Sequence, residues 1–178
     1  MDDVVDAWHD LKTNDCQFSR RSYVRTTFAF IEGFTAVLKS GALAEFQAGR
    51  ATLALAEVAL LLEESYSAAD DGKALVRGSY LPLAANVRFA FDMFARTHGA
   101  TETPDFSSDG WRALKDSVRI RNRVTHPKVT GDLHISDDEV KTIDRGWEWY
   151  LDASLLLFTD GKAQLIAKLK PLGLEPHM

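Results

Sequence analysis

The sequence of 178 residues is poor in cysteine and proline and has no long apolar run. Its single thiol, Cys16, excludes an internal disulfide and, without a Cys/His pattern, favours a reducing compartment. The apolar stretch at residues 53–62 is far shorter than the roughly 20 residues that cross a bilayer. The N-terminus is acidic, whereas a signal peptide begins with basic residues. We therefore expect a cytoplasmic protein without membrane contact.

Positive charge is also scarce, because 21 Lys and Arg residues face 26 Asp and Glu residues, giving a net charge of -5. Proteins that coat nucleic acid non-specifically need many cation–phosphate contacts, so this class is excluded and any nucleic-acid contact has to be local. With 46% apolar residues, the chain can bury a core without metal or disulfide support. We expect a single domain over residues 1–178.

Glycine and proline lie between stretches whose apolar residues recur every three or four positions, which is the helical period. The predicted helices cover residues 2–11, 17–39, 42–67, 82–97, 110–125 and 137–158, with a short helical tail at 162–172. Gly41, His98-Gly99 and Asp160-Gly161 are interpreted as helix stops, and Asp70-Asp71-Gly72 as a turn. Ser108 or Asp109 is the expected cap of the helix at 110–125. No stretch shows sustained alternation, so we expect an all-α, antiparallel up-and-down bundle of about five main helices, with a core at 17–160 and almost no strand.

Several residue groups have ordinary structural explanations. Asp137, Asp138 and Glu139 suit the first turn of a helix that Ser136 caps, and are not interpreted as metal ligands. The aromatic residues Trp147, Trp149 and Tyr150 could stack on bases, but their helical spacing favours a core or dimer contact. The sequence also lacks a phosphate-binding glycine loop, a nucleophile elbow and a zinc-protease helix motif. These three enzyme classes lose their usual sequence evidence.

The most informative stretch is Arg121-Asn122-Arg123-Val124-Thr125-His126-Pro127. On an uninterrupted helix, Arg121 and His126 would lie about 140° apart and would not converge. However, the residue before a proline is pushed out of helical geometry. We therefore expect His126 in an extended conformation just past the last turn, with its ring free to swing back towards Arg121 or Asn122.

The same stretch is locally basic in an acidic protein, which favours contact with phosphate. Arg121 shares a helical stripe with Leu114 and Val118, so its guanidinium needs an acid, a carbonyl or a partner surface. The candidate phosphate-binding residues around it are Lys115, Arg119, Arg123 and Lys128.

Residues 118–127, Val-Arg-Ile-Arg-Asn-Arg-Val-Thr-His-Pro, resemble the motif of the HEPN superfamily: an arginine, four to six residues, then a histidine, often with a polar residue directly after the arginine. The matching residues are Arg121, Asn122 and His126. The segment Phe30-Ile31-Glu32-Gly33-Phe34 and the long helix after the motif also resemble the layout of that family, over residues 17–160. The resemblance implies a helical bundle that dimerises with two motif copies facing each other across a cleft.

In active members the resemblance implies a metal-independent endoribonuclease without a cofactor, in a toxin–antitoxin or defence setting. The RNA 2′-hydroxyl attacks the adjacent phosphate, His126 takes its proton, and Arg121 stabilises the phosphorane. Asn122 orients the ring or binds a phosphate oxygen. The expected products are a 2′,3′-cyclic phosphate and a 5′-hydroxyl. Expected partners are a second copy of the chain, RNA, and an antitoxin or other partner protein.

The same residues also allow a non-catalytic interpretation. Arg121 can pair with Glu32 to brace two helices, Asn122 can cap backbone groups, and His126 can simply end the helix. The protein is then a HEPN-like helical module that binds RNA, a nucleotide or a partner protein, or a structural subunit without a nucleic-acid role. Some toxins of the family carry a tyrosine two residues after the histidine as a modification site. Lys128 stands there instead, which argues against that mode of control.

Overall fold

The computed structural model describes residues 1–169 and is mostly helical, so the all-α prediction is confirmed. Within these residues the helices are α1 (Asp2–Thr13), α2 (Gln17–Gln47), α3 (Leu55–Leu61), α4 (Leu83–His98), α5 (Asp109–Thr125) and α6 (Asp137–Leu169). A 3-10 turn spans Thr130–Leu133 between α5 and α6, and a hairpin of β1 (Glu64–Ala68) and β2 (Ala74–Gly78) lies between α3 and α4. None of the helices in this described part is long and apolar enough to cross a membrane.

The residues divide into two compact units. The first comprises Met1–Phe34 and Pro104–Leu156, and the second comprises Thr35–Thr103 and the described residues 157–169. The helices α2 and α6 each contribute residues to both units. The expectation of a single domain stays a prediction.

In the first unit α5 and α6 pack closely against each other, and Gly146 of α6 allows this close approach. A Cβ atom at Gly146 would lie 2.8 Å from the Leu114 Cα, so α6 can approach the α5 backbone only because this side chain is missing. Tyr150 is fully buried and donates its hydroxyl to the Ile31 carbonyl at 3.2 Å, which ties α6 to α2. Trp149 packs on Trp111 with ring centroids 5.0 Å apart. These aromatic residues therefore serve packing, as their spacing indicates.

The second unit has an apolar cluster of Ala42, Leu53, Leu61 and Met93. Beside it lies a buried lysine, Lys39, whose ammonium donates to the Glu63 carboxylate at 2.7 Å and to the Asn86 amide oxygen at 3.2 Å. These two acceptors offset the cost of removing the ammonium from water.

Two predicted boundaries around α2 are wrong. Gly41 does not stop the helix, which continues to Gln47. A Cβ atom there would meet the Phe94 ring at 3.2 Å, so this glycine permits close packing against α4. The helix expected at 42–67 is also wrong: Gly49 takes a left-handed φ of 70°, and the short α3 starts only after Ala54. The Glu57 carboxylate accepts the Ala54 backbone N–H at 2.7 Å and supports this start.

The hairpin contradicts the expectation of almost no strand. β1 and β2 pair antiparallel with Tyr66 opposite Val76, and the chain reverses at the predicted Asp70-Asp71-Gly72 turn, where Gly72 has a φ of 80°. The strands have five residues each and are largely exposed, so no buried face imposes a clear alternation on the sequence.

Capping residues were predicted more accurately than glycine stops. Ser108 accepts the Trp111 N–H at the start of α5, and Ser136 and Glu139 form the expected reciprocal pair at the start of α6. However, α6 does not end at Asp160-Gly161. The Asp160 carboxylate accepts the Thr101 and Glu102 N–H groups at 2.5 and 2.9 Å. Of the helical tail expected at 162–172, residues 162–169 continue α6 and residues 170–172 lie outside the described residues.

Candidate functional site at the end of α5

The chain leaves helical geometry at His126, as the following proline predicts. His126 has φ −125° and ψ 61°, short of a fully extended strand, and its N–H still bonds the Asn122 carbonyl at 2.9 Å. Its side chain is exposed and forms no hydrogen bond with any residue of the described range 1–169. The end of α5 therefore presents an imidazole that is free to meet a ligand.

Arg121 is less free. Its guanidinium forms an ion pair with the Glu32 carboxylate of α2, and its Nη1 donates to the Asn122 side-chain oxygen at 3.0 Å. The Arg121 side chain is 20% exposed and that of Glu32 is 41% exposed. Arg121, Asn122 and Glu32 are thus brought together, and Glu32 occupies part of the donor fork that a phosphate would use.

The His126 ring is not joined to this group within one chain. Among residues 1–169, no hydrogen bond connects the ring to Arg121 or Asn122, and the backbone bond to Asn122 is the link between them. A shared ligand, or a second copy of the motif, would have to bridge the imidazole and the guanidinium.

The basic character of the segment is largely offset by acids. Arg119 pairs with Asp116 at 2.5 Å, and Arg123 pairs with Glu139 at 2.7 Å while also donating to the His134 carbonyl. The two lysines differ from the arginines: Lys115 lies over the Trp111 ring, 5.9 Å from its centroid, and the exposed Lys128 forms no ion pair with a described residue. A phosphate would therefore compete with Asp116 and Glu139 for the charge of these arginines, whereas neither lysine has such an acidic competitor among the described residues.

Asp132 holds the loop that follows Pro127. Its carboxylate accepts the backbone N–H groups of Lys128 and Val129 at 2.7 and 3.1 Å, and these bonds lower the pKa of Asp132. Sequence reasoning missed this residue. An aspartate three positions after an extended residue is a local signal that could have revealed it.

A second anchor of the same loop comes from α2. Gln17 bonds the Ile135 carbonyl and N–H through its side-chain amide, each at 2.9 Å, and Arg20 donates to the same carbonyl at 2.8 Å. Ile135 is fully buried. No local pattern signals these contacts, because the partners are more than 100 positions apart in the chain.

The acidic group at the start of α6 acts in capping. Glu139 accepts the Ser136 N–H at 2.9 Å, and Asp137 accepts from Arg20 at 2.6 Å. Across the described residues, no group of three or more His, Cys, Asp or Glu side chains is arranged to hold a metal ion.

Comparison with known proteins adds no relative: no protein-family model, no curated protein and no solved structure matches the chain.

Proposed function

We propose that the protein is a metal-independent endoribonuclease of the HEPN type. The observation that carries the proposal is the end of α5. There the imidazole of His126, which has no hydrogen-bond partner among residues 1–169, follows about one turn after a guanidinium and an amide that are hydrogen-bonded to each other. Proton transfer and stabilisation of charge on phosphorus are the two tasks of RNA cleavage, and these side chains suit them.

In the proposed reaction the 2′-hydroxyl of RNA attacks the adjacent phosphorus, and His126 removes the hydroxyl proton. The Arg121 fork and the Asn122 amide hold the phosphate oxygens as negative charge builds up on them. The bond from phosphorus to the 5′-oxygen then breaks, the leaving oxygen takes a proton from water, and His126 returns its proton to the solvent. The products are a 2′,3′-cyclic phosphate and a 5′-hydroxyl. Lys115 and Lys128 hold the neighbouring phosphates, and Arg119 and Arg123 join them only where they exchange Asp116 and Glu139 for phosphate.

The active form is proposed to be a homodimer through the motif-bearing face. Within one chain Arg121 is paired with Glu32, and no hydrogen bond among residues 1–169 joins the His126 ring to Arg121 or Asn122. A second copy placed against this face brings another imidazole and another guanidinium to one cleft. A cytoplasmic toxin or defence component with an antitoxin partner is the proposed setting.

Incubation with a labelled single-stranded RNA in EDTA tests the proposal. Wild type should leave cyclic-phosphate ends, and His126→Ala should slow cleavage by about 10²–10⁴-fold, the usual contribution of a positioned acid–base group. His134→Ala is the matched control, because this exposed histidine lies in the same loop region. Absence of cleavage by wild type, or equal rates for wild type and His126→Ala, would contradict a nuclease.

The Arg121–Glu32 ion pair favours a second candidate, a non-catalytic helical module that binds RNA, a nucleotide or a partner protein. In that case Arg121→Ala lowers the melting temperature or disrupts the dimer, and no variant changes RNA turnover because wild type has none. Thermal unfolding and light scattering of Arg121→Ala, beside the cleavage assay, separate the two candidates.

A further inference from the structure

The second unit contains a pocket unrelated to the end of α5. It has a volume of about 610 Å³ and lies among the C-terminal parts of α2 and α4 and the start of the second unit's portion of α6. Pockets of roughly 300–1,000 Å³ are the usual size for small-molecule ligands. The residues that decide its chemistry are Phe94, His98, Leu157, Phe158, Arg50 and Lys162. We call it the α4 pocket.

One wall of the α4 pocket is aromatic. Phe94 stacks on the His98 ring with centroids 3.8 Å apart and planes inclined by 18°. The ring centroid of Phe158 lies 5.1 Å from that of Phe94, and the Phe158 residue is 42% exposed although its side chain is large and apolar. Leu157 completes the wall and is fully buried. A flat apolar group can lie against these rings and cover the exposed part of Phe158.

Of the charged groups that line the pocket, one cation has no ion-pair partner within the described part of the chain. Glu45 and Arg50 form a bidentate pair at 2.7 and 2.8 Å, and the Arg50 hydrogen bonds lower the pKa of Glu45, so the pair is neutral as a whole. Lys162 lines the same pocket and forms no ion pair with any residue among 1–169. His98 Nδ1 lies 3.0 Å from the Phe94 carbonyl, an acceptor to which it can donate.

We propose that the α4 pocket binds a small amphipathic anion with a flat aromatic body and one acidic group. The body packs on Phe94 and Phe158, and the carboxylate or sulfonate pairs with the Lys162 ammonium. A neutral ligand would leave the lysine unused, and a cationic ligand would be repelled by it. This inference does not depend on the ribonuclease proposal, because the pocket shares no residue with the end of α5.

The test is a fluorescence titration of the full chain with 1-anilinonaphthalene-8-sulfonate, an aromatic sulfonate. One saturable site per chain is expected. Lys162→Gln should lower the affinity for the probe by about tenfold, which corresponds to the loss of one charge-assisted contact. Phe158→Ala should lower the affinity for the probe by a similar factor, because part of the aromatic wall is lost. Lys141→Gln is the matched control, since this exposed lysine lies on the same helix within the first unit.

A neutral probe of the same shape, N-phenyl-1-naphthylamine, tests the charge preference. It should bind wild type about tenfold more weakly than the sulfonate and should be unaffected by Lys162→Gln. Equal affinity for the two probes, or unchanged sulfonate binding by Lys162→Gln, would overturn the proposal. Circular dichroism shows whether Phe158→Ala is folded. If it is not, the exposed Lys162→Gln variant still decides the outcome.

Discussion

Glu32 has two opposing effects on Arg121. Its carboxylate holds the guanidinium in place by an ion pair, and it would also compete with a phosphate for the same donors. The pair is partly exposed, so it contributes at most about 1 kcal/mol to the free energy of unfolding. For the proposed ribonuclease, competition with phosphate is therefore expected to be the more important effect.

Glu32→Gln tests this competition. The amide retains one hydrogen bond to Arg121 but loses its negative charge, so RNA cleavage under single-turnover conditions should be about fivefold faster, the value of one Coulomb contact in a water-like medium. The melting temperature should fall slightly. Glu148→Gln, which removes an exposed charge from α6, is the control. A slower rate for Glu32→Gln would mean that the charge positions Arg121 and does not compete with phosphate.

Tyr23 provides a prediction on pH. It is buried, and burial together with its hydrogen bond to the Asp144 carboxylate at 2.7 Å raises its pKa above the ordinary value. A raised pKa stabilises the fold below the pKa of the unfolded chain, about 10, and this stabilisation is lost as the pH rises further.

Urea unfolding of wild type and Tyr23→Phe at pH 8 and pH 10.5 measures this effect. At pH 8 the variant should be less stable by about 1 kcal/mol, because the hydrogen bond is missing. Above pH 10 the difference should shrink by up to about 1.4 kcal/mol per pH unit, since the unfolded wild-type chain releases a proton that the folded chain keeps. Tyr80→Phe, at a tyrosine that is 82% exposed, should show no such change. A constant difference between the two pH values would contradict the linkage.

At the scale of elements, capping signals within a few residues were reliable, whereas of the glycine stops the one at His98-Gly99 was right and those at Gly41 and Gly161 were wrong. Ser108, Ser136 and Pro127 act on neighbouring backbone groups, so their effects follow from the sequence. Gly41 lies inside a helix because of what packs against it from another element. The hairpin was missed for a different reason: its strands are exposed, so they carry no alternating pattern that a buried face would impose. A glycine can be present because the backbone takes a left-handed conformation there or because another element packs closely against it, and the sequence alone does not distinguish these two causes.

Gly146→Ala tests close packing between α5 and α6. The new methyl group would lie 2.8 Å from the Leu114 Cα and 2.9 Å from its nitrogen, and backbone cannot yield as a flexible side chain can. We expect a loss of about 1–3 kcal/mol in the free energy of unfolding. Gly33→Ala in α2 is the control: nothing lies within 4 Å of its Cβ position, so alanine should stabilise that helix by up to about 1 kcal/mol. Equal stability of wild type and Gly146→Ala by urea unfolding would contradict the packing argument.

For the molecule as a whole, the net charge of -5 and the ion pairs around the motif mean that the proposed nuclease is expected to bind RNA weakly and locally. The sequence predicted the cations at the end of α5, and it predicted Glu32 as their support. It did not predict that Asp116 and Glu139 offset Arg119 and Arg123, because Glu139 reaches its partner only through the fold. The effective positive charge of each motif copy therefore comes from Lys115, Lys128 and, once phosphate displaces Glu32, Arg121.

The salt dependence of single-stranded RNA binding measures this effective charge. Three phosphate contacts give a slope of about −2 in a plot of log affinity against log salt concentration, and six contacts across a dimer give about −4. Lys128→Ala should make the slope shallower by about 0.7 per copy, whereas Arg77→Ala in the hairpin should leave it unchanged. A much steeper slope, near −7, would require about ten phosphate contacts and would mean that the paired arginines exchange their acids for phosphate. The slope thus separates binding by one motif copy from binding by two, because the number of neutralised phosphates doubles when RNA spans the dimer.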